Sequence, residues 1–242
     1  MTRESVLARA MVELADNLVD DFDIVELLTT LADRCVDVLD IAAAGIMLAT
    51  PDGQLQVMTS SNEAMRIVEL FELQSHEGPC LDCFHGRRPV VNQDLTTAHE
   101  RWPRFAPVAV ERGFRAADAI PMRLRGTVIG ALNLFRTEIG SLTDDDIAVA
   151  QALADIATIA ILQNRAAIEA RQLNTQLTSA LTSRIVIEQA KGMIAERQRL
   201  PVDEAFERLR RHARHHNRRL ADVAGDTVNG TLDPAIFTGP RG

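Results

Sequence analysis

Aromatic side chains are scarce in this 242-residue chain, which has one Trp, eight Phe and no Tyr. Ala, Val, Leu and Ile must therefore fill any core, and a hydrophobic content of 46% is enough to build one. Cysteine is also sparse: Cys35, Cys80 and Cys83 make an odd count that argues against a secreted disulfide scaffold. The longest predominantly apolar stretches, residues 41–49 and 156–162, fall far short of the ~20 residues of a membrane span. The first five residues include Glu4 and lead directly into amphipathic sequence, unlike a signal peptide. A cytoplasmic protein without a membrane partner is the expectation. The chain also lacks a Gly-rich phosphate loop, a nucleophile elbow and an HExxH motif, so no catalytic residue, cofactor or metal is assigned and an enzyme is not expected.

What is present is an uneven charge. The net charge is −8, yet residues 184–224 hold ten Lys or Arg against six Asp or Glu, a balance of +4 that leaves −12 elsewhere. Between Phe206 and Leu220 six arginines face only Glu207. A basic module on an acidic chain is the layout of a nucleic-acid-binding appendage, although a solvated helix face would carry the same charges.

Apolar spacing predicts helices over 6–18 and 24–39, then a hairpin in which Pro51-Asp52-Gly53 joins an apolar run to an alternating one. Residues 62–74 return to helical period, with Met65, Val68 and either Phe71 or Glu72 on successive turns. A short helix opens at Pro79 and a short strand covers 88–92. A helix follows over 105–112, and two strands at 116–123 and 127–135 flank a polar turn. Thr143 reads as an N-cap with Asp144, Asp145 and Asp146 behind it, and helical period continues to Leu200-Pro201. Within that helix Leu173, Leu177 and Leu181 recur every four residues in polar surroundings, which suits a helical connector or a short coiled-coil dimer seam. The order describes one α+β domain on a mostly antiparallel sheet, followed by an all-helical unit.

The first part resembles a GAF domain over about residues 5–165. The resemblance rests on Glu77-Gly78-Pro79-Cys80-Leu81-Asp82, Arg88-Pro89-Val90-Val91, Gly113-Phe114-Arg115-Ala116, and Ile120-Pro121-Met122 with the closing strand Val128–Phe135. It implies a central sheet flanked by helices with a pocket on one face for a small molecule or a protein partner. Met47, Leu48, Cys80, Phe84, Ala117 and Ala119 are the candidate lining for an unknown small-molecule ligand. Cys80 and Cys83 start a helix just after a proline, where the helix dipole would lower a thiol pKa, so they are also candidates for a redox switch. His76, Cys80, Cys83 and His85 carry zinc-type donors, but Cys83 and His85 are tightly spaced for two ligands.

In the second part Ile187, Ala190 and Ile194 form one apolar stripe. Val202, Phe206, Leu209 and Ala213 form a second, and Leu220, Val223, Ala224, Thr227 and Val228 a third, which predicts three short helices. Gly192 sits in mid-helix at a cost of ~1 kcal/mol relative to Ala, tolerable where a neighbouring helix or a nucleic acid approaches the backbone. Arg210, Arg214 and Asn217 fall at i, i+4 and i+7, a spacing that offers guanidinium groups to phosphates or bases. Glu188-Gln189-Ala190-Lys191-Gly192, Glu204-Ala205-Phe206, Leu209-Arg210, Asn217, Leu220 and Val223-Ala224 resemble an ANTAR domain. That family implies a homodimer that binds paired RNA hairpins in nascent transcripts and prevents a terminator from forming. Arg184, Lys191, Gly192, Arg210 and Asn217 match the family's pattern, while Arg214, Arg218 and Arg219 are added from charge and helical face. The run from His212 to His216 is bulkier and more basic than the pattern.

The resulting expectation is a GAF sensor (5–165), a helical or coiled-coil connector (166–183), a three-helix ANTAR bundle (184–232) and a flexible tail (233–242). Its function would be signal-responsive transcription antitermination. Two alternatives remain: a DNA-binding regulator with a basic second helix, and a GAF-domain redox sensor or reductase using Cys80 and Cys83.

Overall fold

The computed structural model describes residues 3–16 and 23–237, and the chain divides into two compact units, Met1–Ala166 and Ala167–Gly242. In the first, helices α1 (Arg3–Asp16) and α2 (Ile24–Leu39) precede the hairpin β1 (Ala43–Ala49) and β2 (Leu55–Ser60). Helices α3 (Glu63–Ser75) and α4 (Pro79–Gly86) lead into β3 (Val90–Asp94) and α5 (Phe105–Glu111). Strands β4 (Ala116–Leu124) and β5 (Thr127–Arg136) complete a five-stranded sheet of order β2-β1-β5-β4-β3, antiparallel throughout. Leu18, the last apolar position expected in the first helix, lies outside the described residues.

Strand alternation divides the core into two layers. Ala44, Ile46, Leu48, Ile120, Leu132 and Leu134 turn one way, onto α1, α2 and the start of α6 (Asp144–Gln198). Ala43, Met47, Ala117, Ala119, Ala131 and Phe135 turn the other way, beneath α3, α4 and α5. The alanines on this second face are small, which leaves space above the central strands for large side chains from the helices. Phe105 of α5, with Trp102 and Phe114 from the flanking loops, packs with Phe135 of β5 in a chain of edge-to-face and tilted contacts 5.0–6.4 Å apart.

Local chemistry fixes the element ends. Asp23 and Asn62 cap α2 and α3 by accepting from the Val25 and Met65 amides. Asp146 donates its amide to Thr143 Oγ1 at 3.1 Å, and its carboxylate accepts the Thr143 amide at 3.0 Å, a reciprocal box that starts α6. At the other end Arg199 is left-handed (φ 53°) and Pro201 follows, so helical hydrogen bonding cannot continue.

The second unit contains the C-terminal part of α6 with α7 (Val202–His215) and α8 (Leu220–Val228). Its core is thin: Ala190 and Ile194 from α6, Ala205, Leu209 and Ala213 from α7, Val223 and Ala224 from α8. Leu209 and Ala213 are thus buried as expected, whereas Ala205 takes the place expected of Phe206. Val202 is exposed and Phe206 half-buried, because close helix packing selects the small Ala205. The segment after residue 232, expected to be a flexible tail, has an ordered start. Asp233 caps a short turn by accepting the Ala235 amide, and Phe237 is buried in the core. Among the described residues no helix is long and apolar enough to cross a membrane.

Candidate functional sites in the two units

The upper face of the sheet in the first unit encloses two carboxylates. Glu69 and Glu72 lie one turn apart on α3, both fully buried, and point at Asn133 on β5. Asn133 is paired with Gly45 on one side and Ala119 on the other, so the sheet beneath the carboxylates is almost bare of side chains. The fit is close: a Cβ on Gly45 would stand 2.4 Å from Glu69 Oε1, and one on Gly78 would stand 2.4 Å from Glu72 Oε1. Gly78 also adopts φ 150°, outside the range that a side chain tolerates comfortably.

Hydrogen bonds tie these groups to their surroundings. Ser60 donates to Glu69, while the Cys80 and Leu81 amides donate to Glu72 Oε1 at 2.7 and 3.1 Å. Glu72 therefore caps the start of α4. The Asn133 amide nitrogen lies 3.4 Å from Glu69 and 3.5 Å from Glu72, and Asn133 Oδ1 is buried without a partner. Burial is the main force on both acids. It raises Glu69 to about 7 and Glu72 to about 8, the latter helped by repulsion from Glu69 and opposed by the two amides.

The candidate lining residues do not all meet here. Met47, Cys80, Ala117 and Ala119 share this core layer, whereas Leu48 faces the opposite layer with α1, α2 and α6. Adjacent strand residues point to opposite faces, so Met47 and Leu48 cannot line one pocket. Phe84 is half-buried against His85 at the edge of α4. Cys80 and Cys83 are free thiols buried in the core. Contrary to the expected dipole effect, burial raises both, Cys83 to about 12 and Cys80 well above the ordinary thiol range. Desolvation of a thiolate outweighs one short helix terminus. Among the described residues no group of His, Cys, Asp or Glu is placed to hold a metal ion.

Sequence reasoning missed Glu69, Asn133, Trp102 and the glycines beneath the acids, and left Glu72 as one of two choices for a buried turn. The signal was available in part: Glu69 and Glu72 continue the buried face of Met65 and Val68, at i+4 and i+7 from Met65. Trp102 closes the layer, its indole N–H donating to Asp82 Oδ2 at 3.2 Å while Arg101 pairs with the same carboxylate and stacks 4.6 Å from the ring.

The second unit presents its chemistry outward. Lys191 is the only lysine in the chain, against 25 arginines. Its ammonium pairs with Glu188 at 2.9 Å and sits 5.2 Å from the Phe206 ring, which brings α6 and α7 together at one edge. Gly192 beside it is exposed, and a Cβ there would meet nothing within 4 Å. Among the described residues no neighbouring helix explains this glycine. Arg184, Arg210, Arg214, Arg218 and Arg219 are exposed, with Arg210 3.4 Å from Glu207 and Arg218 paired with Asp226. Asn217 has φ 51°, so it turns the chain between α7 and α8, a conformation that Asn adopts more readily than most residues. The α6 residues Leu173, Leu177, Leu181 and Ile185 are more than half exposed, an apolar row without a partner among the described residues.

Comparison with known proteins matches a GAF domain family model to residues 23–162 and an ANTAR domain model to residues 175–227. No curated protein matches the chain. Among solved structures, a domain of a putative two-component sensor histidine kinase from Sinorhizobium meliloti 1021 is 18% identical with TM-score 0.54, covering 63% of this chain and 99% of that one. The GAF domain of an Acinetobacter phosphoenolpyruvate-protein phosphotransferase is 16% identical with TM-score 0.52, covering 69% and 97%. The free methionine-R-sulfoxide reductase of Neisseria meningitidis is 16% identical with TM-score 0.53, covering 69% and 95%. At these identities the likeness is one of fold.

Proposed function

We propose that this chain, which belongs to the GAF domain family and carries a C-terminal ANTAR domain, is a signal-responsive regulator of transcription antitermination that binds tandem RNA hairpins. The observation that carries the reading lies within the ANTAR match: the single lysine, Lys191, stands beside an unexplained open glycine at the edge where α6 and α7 meet. A glycine that costs helix stability and whose Cβ position is open among the described residues suits a partner whose backbone must come close. Arg184, Arg210, Arg214, Asn217, Arg218 and Arg219 extend this surface and supply phosphate contacts. Binding exchanges the Lys191–Glu188 pair, whose Glu188 is exposed and whose Lys191 is mostly covered, for a phosphate.

The active species in this reading is a cytoplasmic homodimer. Leu173, Leu177, Leu181 and Ile185 form the seam, since an exposed row of large apolar residues in a polar helix is stable only when covered. The GAF unit (5–165) receives a small-molecule or protein signal and acts through the connector (166–183) on how often two RNA-binding tips (184–232) are correctly spaced. The buried, high-pKa thiols of Cys80 and Cys83 give no support to the reductase alternative, because the thiolate is the reactive form.

The test is a mobility shift of the full-length protein with a tandem-hairpin RNA, against Lys191→Ala and Lys191→Arg. Loss of one charged contact costs about 1–3 kcal/mol, so a loss of affinity of roughly 5- to 150-fold is expected. Competition by unstructured RNA or duplex DNA should be weak. Amine acylation offers a second readout, since Lys191 carries the sole side-chain amine and specific RNA should protect it. Equal competition by duplex DNA, or undiminished binding by Lys191→Ala, would overturn the reading.

A further inference from the structure

The run from His212 to His216, which the ANTAR resemblance does not account for, builds a second cationic surface. We propose that the groove between the C-terminal half of α7 and residues 236–237 is a phosphate-binding site, separate from the surface around Lys191. The groove encloses about 400 Å³. Its walls are Arg208, Arg211, His212, His215 and His216, its apolar side is Ile236 and Phe237, and no acidic residue lines it.

Helical geometry keeps the two surfaces apart. Arg208, Arg211 and His215 fall at i, i+3 and i+7 and share a face of α7. The buried stripe of Ala205, Leu209 and Ala213 separates that face from Phe206 and Arg210, which lie on the Lys191 side. Phe206 and Arg210 therefore do not face the groove, while Arg214, one turn from Arg211, lies between the two sets on the exposed side of α7.

The groove is organised before any ligand arrives. Arg208 Nη1 donates to Gln198 Oε1 at 2.6 Å and to the Phe237 carbonyl at 3.4 Å, and its Nη2 pairs with Glu204. Arg208 Nε is buried with no acceptor, a donor whose desolvation is uncompensated until an oxygen reaches it. Arg211 is exposed and has no ion-pair partner among the described residues. His216 Nδ1 lies 2.9 Å from the His212 carbonyl, so that nitrogen carries the hydrogen and caps α7, leaving Nε2 for an outside group. The two rings stack 4.1 Å apart, and the ring of His212 packs 5.0 Å from Phe237. Burial, then His216, Arg218 and His215, lower the His212 pKa. Glu204 on Arg208 and Asp226 on Arg218 are the acidic groups paired with cations here. The C-terminal dipole of α7 opposes an anion, so attraction comes from the side chains alone and removing two of them should abolish it.

The phosphate could come from the RNA backbone, which rests on the antitermination reading, or from a phosphorylated small molecule, which does not. The test uses the full-length protein at constant ionic strength, with inorganic phosphate as probe and the imidazole C–H resonances as readout. The wild type should show saturable shifts of His215 and His216 signals. Arg211→Gln/His215→Gln, at exposed positions and checked for retained fold by circular dichroism, should lose the His216 shift. Lys191→Ala should keep both shifts. With tandem-hairpin RNA, a backbone source predicts that Arg211→Gln reduces the salt slope of binding by about 1. An unchanged slope together with the lost phosphate shift assigns the site to a small phosphorylated ligand. Absence of saturable shifts in the wild type, or the same shifts in the double variant, overturns the proposal whether or not the protein binds RNA.

Discussion

The two units use charge in opposite ways. The GAF unit encloses Glu69 and Glu72 with no cation beside them among the described residues, under helices that cover an alanine-lined sheet face. The ANTAR unit keeps its charges outside and closes a thin core with Ala190, Ala205, Ala213 and Ala224. A large core can hold two carboxylates in place because many contacts compensate their desolvation. A minimal bundle has no such reserve, so its functional groups sit on the surface and its stability depends on a few large side chains.

Phe237 provides the largest break in that comparison. Phe237→Ala should cost about 3–5 kcal/mol, because the ring is fully buried in the smallest core of the molecule. Calorimetry should show the ANTAR transition falling well below the GAF transition, which stays in place. A variant that leaves both transitions unchanged would show that residues 233–237 do not belong to the bundle.

The buried acids come next. Their folded-state values of about 7 and about 8 lie above the ~4.3 of an unfolded glutamate. The folded state then binds more protons between those limits, so stability contributed by the pair is present at acid pH and is lost as pH rises from about 5 to 8. Glu72→Gln keeps an acceptor for the Cys80 and Leu81 amides, and its new amide can donate to Asn133 Oδ1 if the Asn133 side chain rotates. The variant should gain on the order of 3 kcal/mol over wild type at pH 8, and less at pH 5, with a flatter stability profile. A loss at pH 8 would mean that a charged Glu72 is what the fold requires.

The smallest effect sharpens the surface side. Gly192→Ala should stabilise the ANTAR unit by about 0.5–1 kcal/mol, since the methyl group enters open space. In mobility shifts the same variant should bind the hairpin RNA more weakly. Stabilisation without any loss of binding would remove Gly192 from the interface.

The outward chemistry was legible because exposed cations leave a compositional trace. Six arginines facing one glutamate between Phe206 and Leu220 need no tertiary information to be noticed. The order of helices and strands was legible for a similar reason, since period and caps are local: Thr143 caps where its sequence context predicts. Errors arose where two faces had to be told apart. Leu48 was grouped with Met47 although strand alternation separates them, and Phe206 was preferred to Ala205 because a large apolar residue draws attention that a small one does not.

By itself the sequence determined two modules, their element order and the side of the chain that carries positive charge, because these depend on residues close together along the backbone. Only the tertiary structure decided that Glu69, Glu72 and Asn133 meet over Gly45, that Cys80 and Cys83 are sealed in a core, and that Phe237 returns to close the bundle beside His212. Each of those meetings joins residues distant in the chain or depends on burial. A residue's pKa, reactivity and partners are set by what folding places around it.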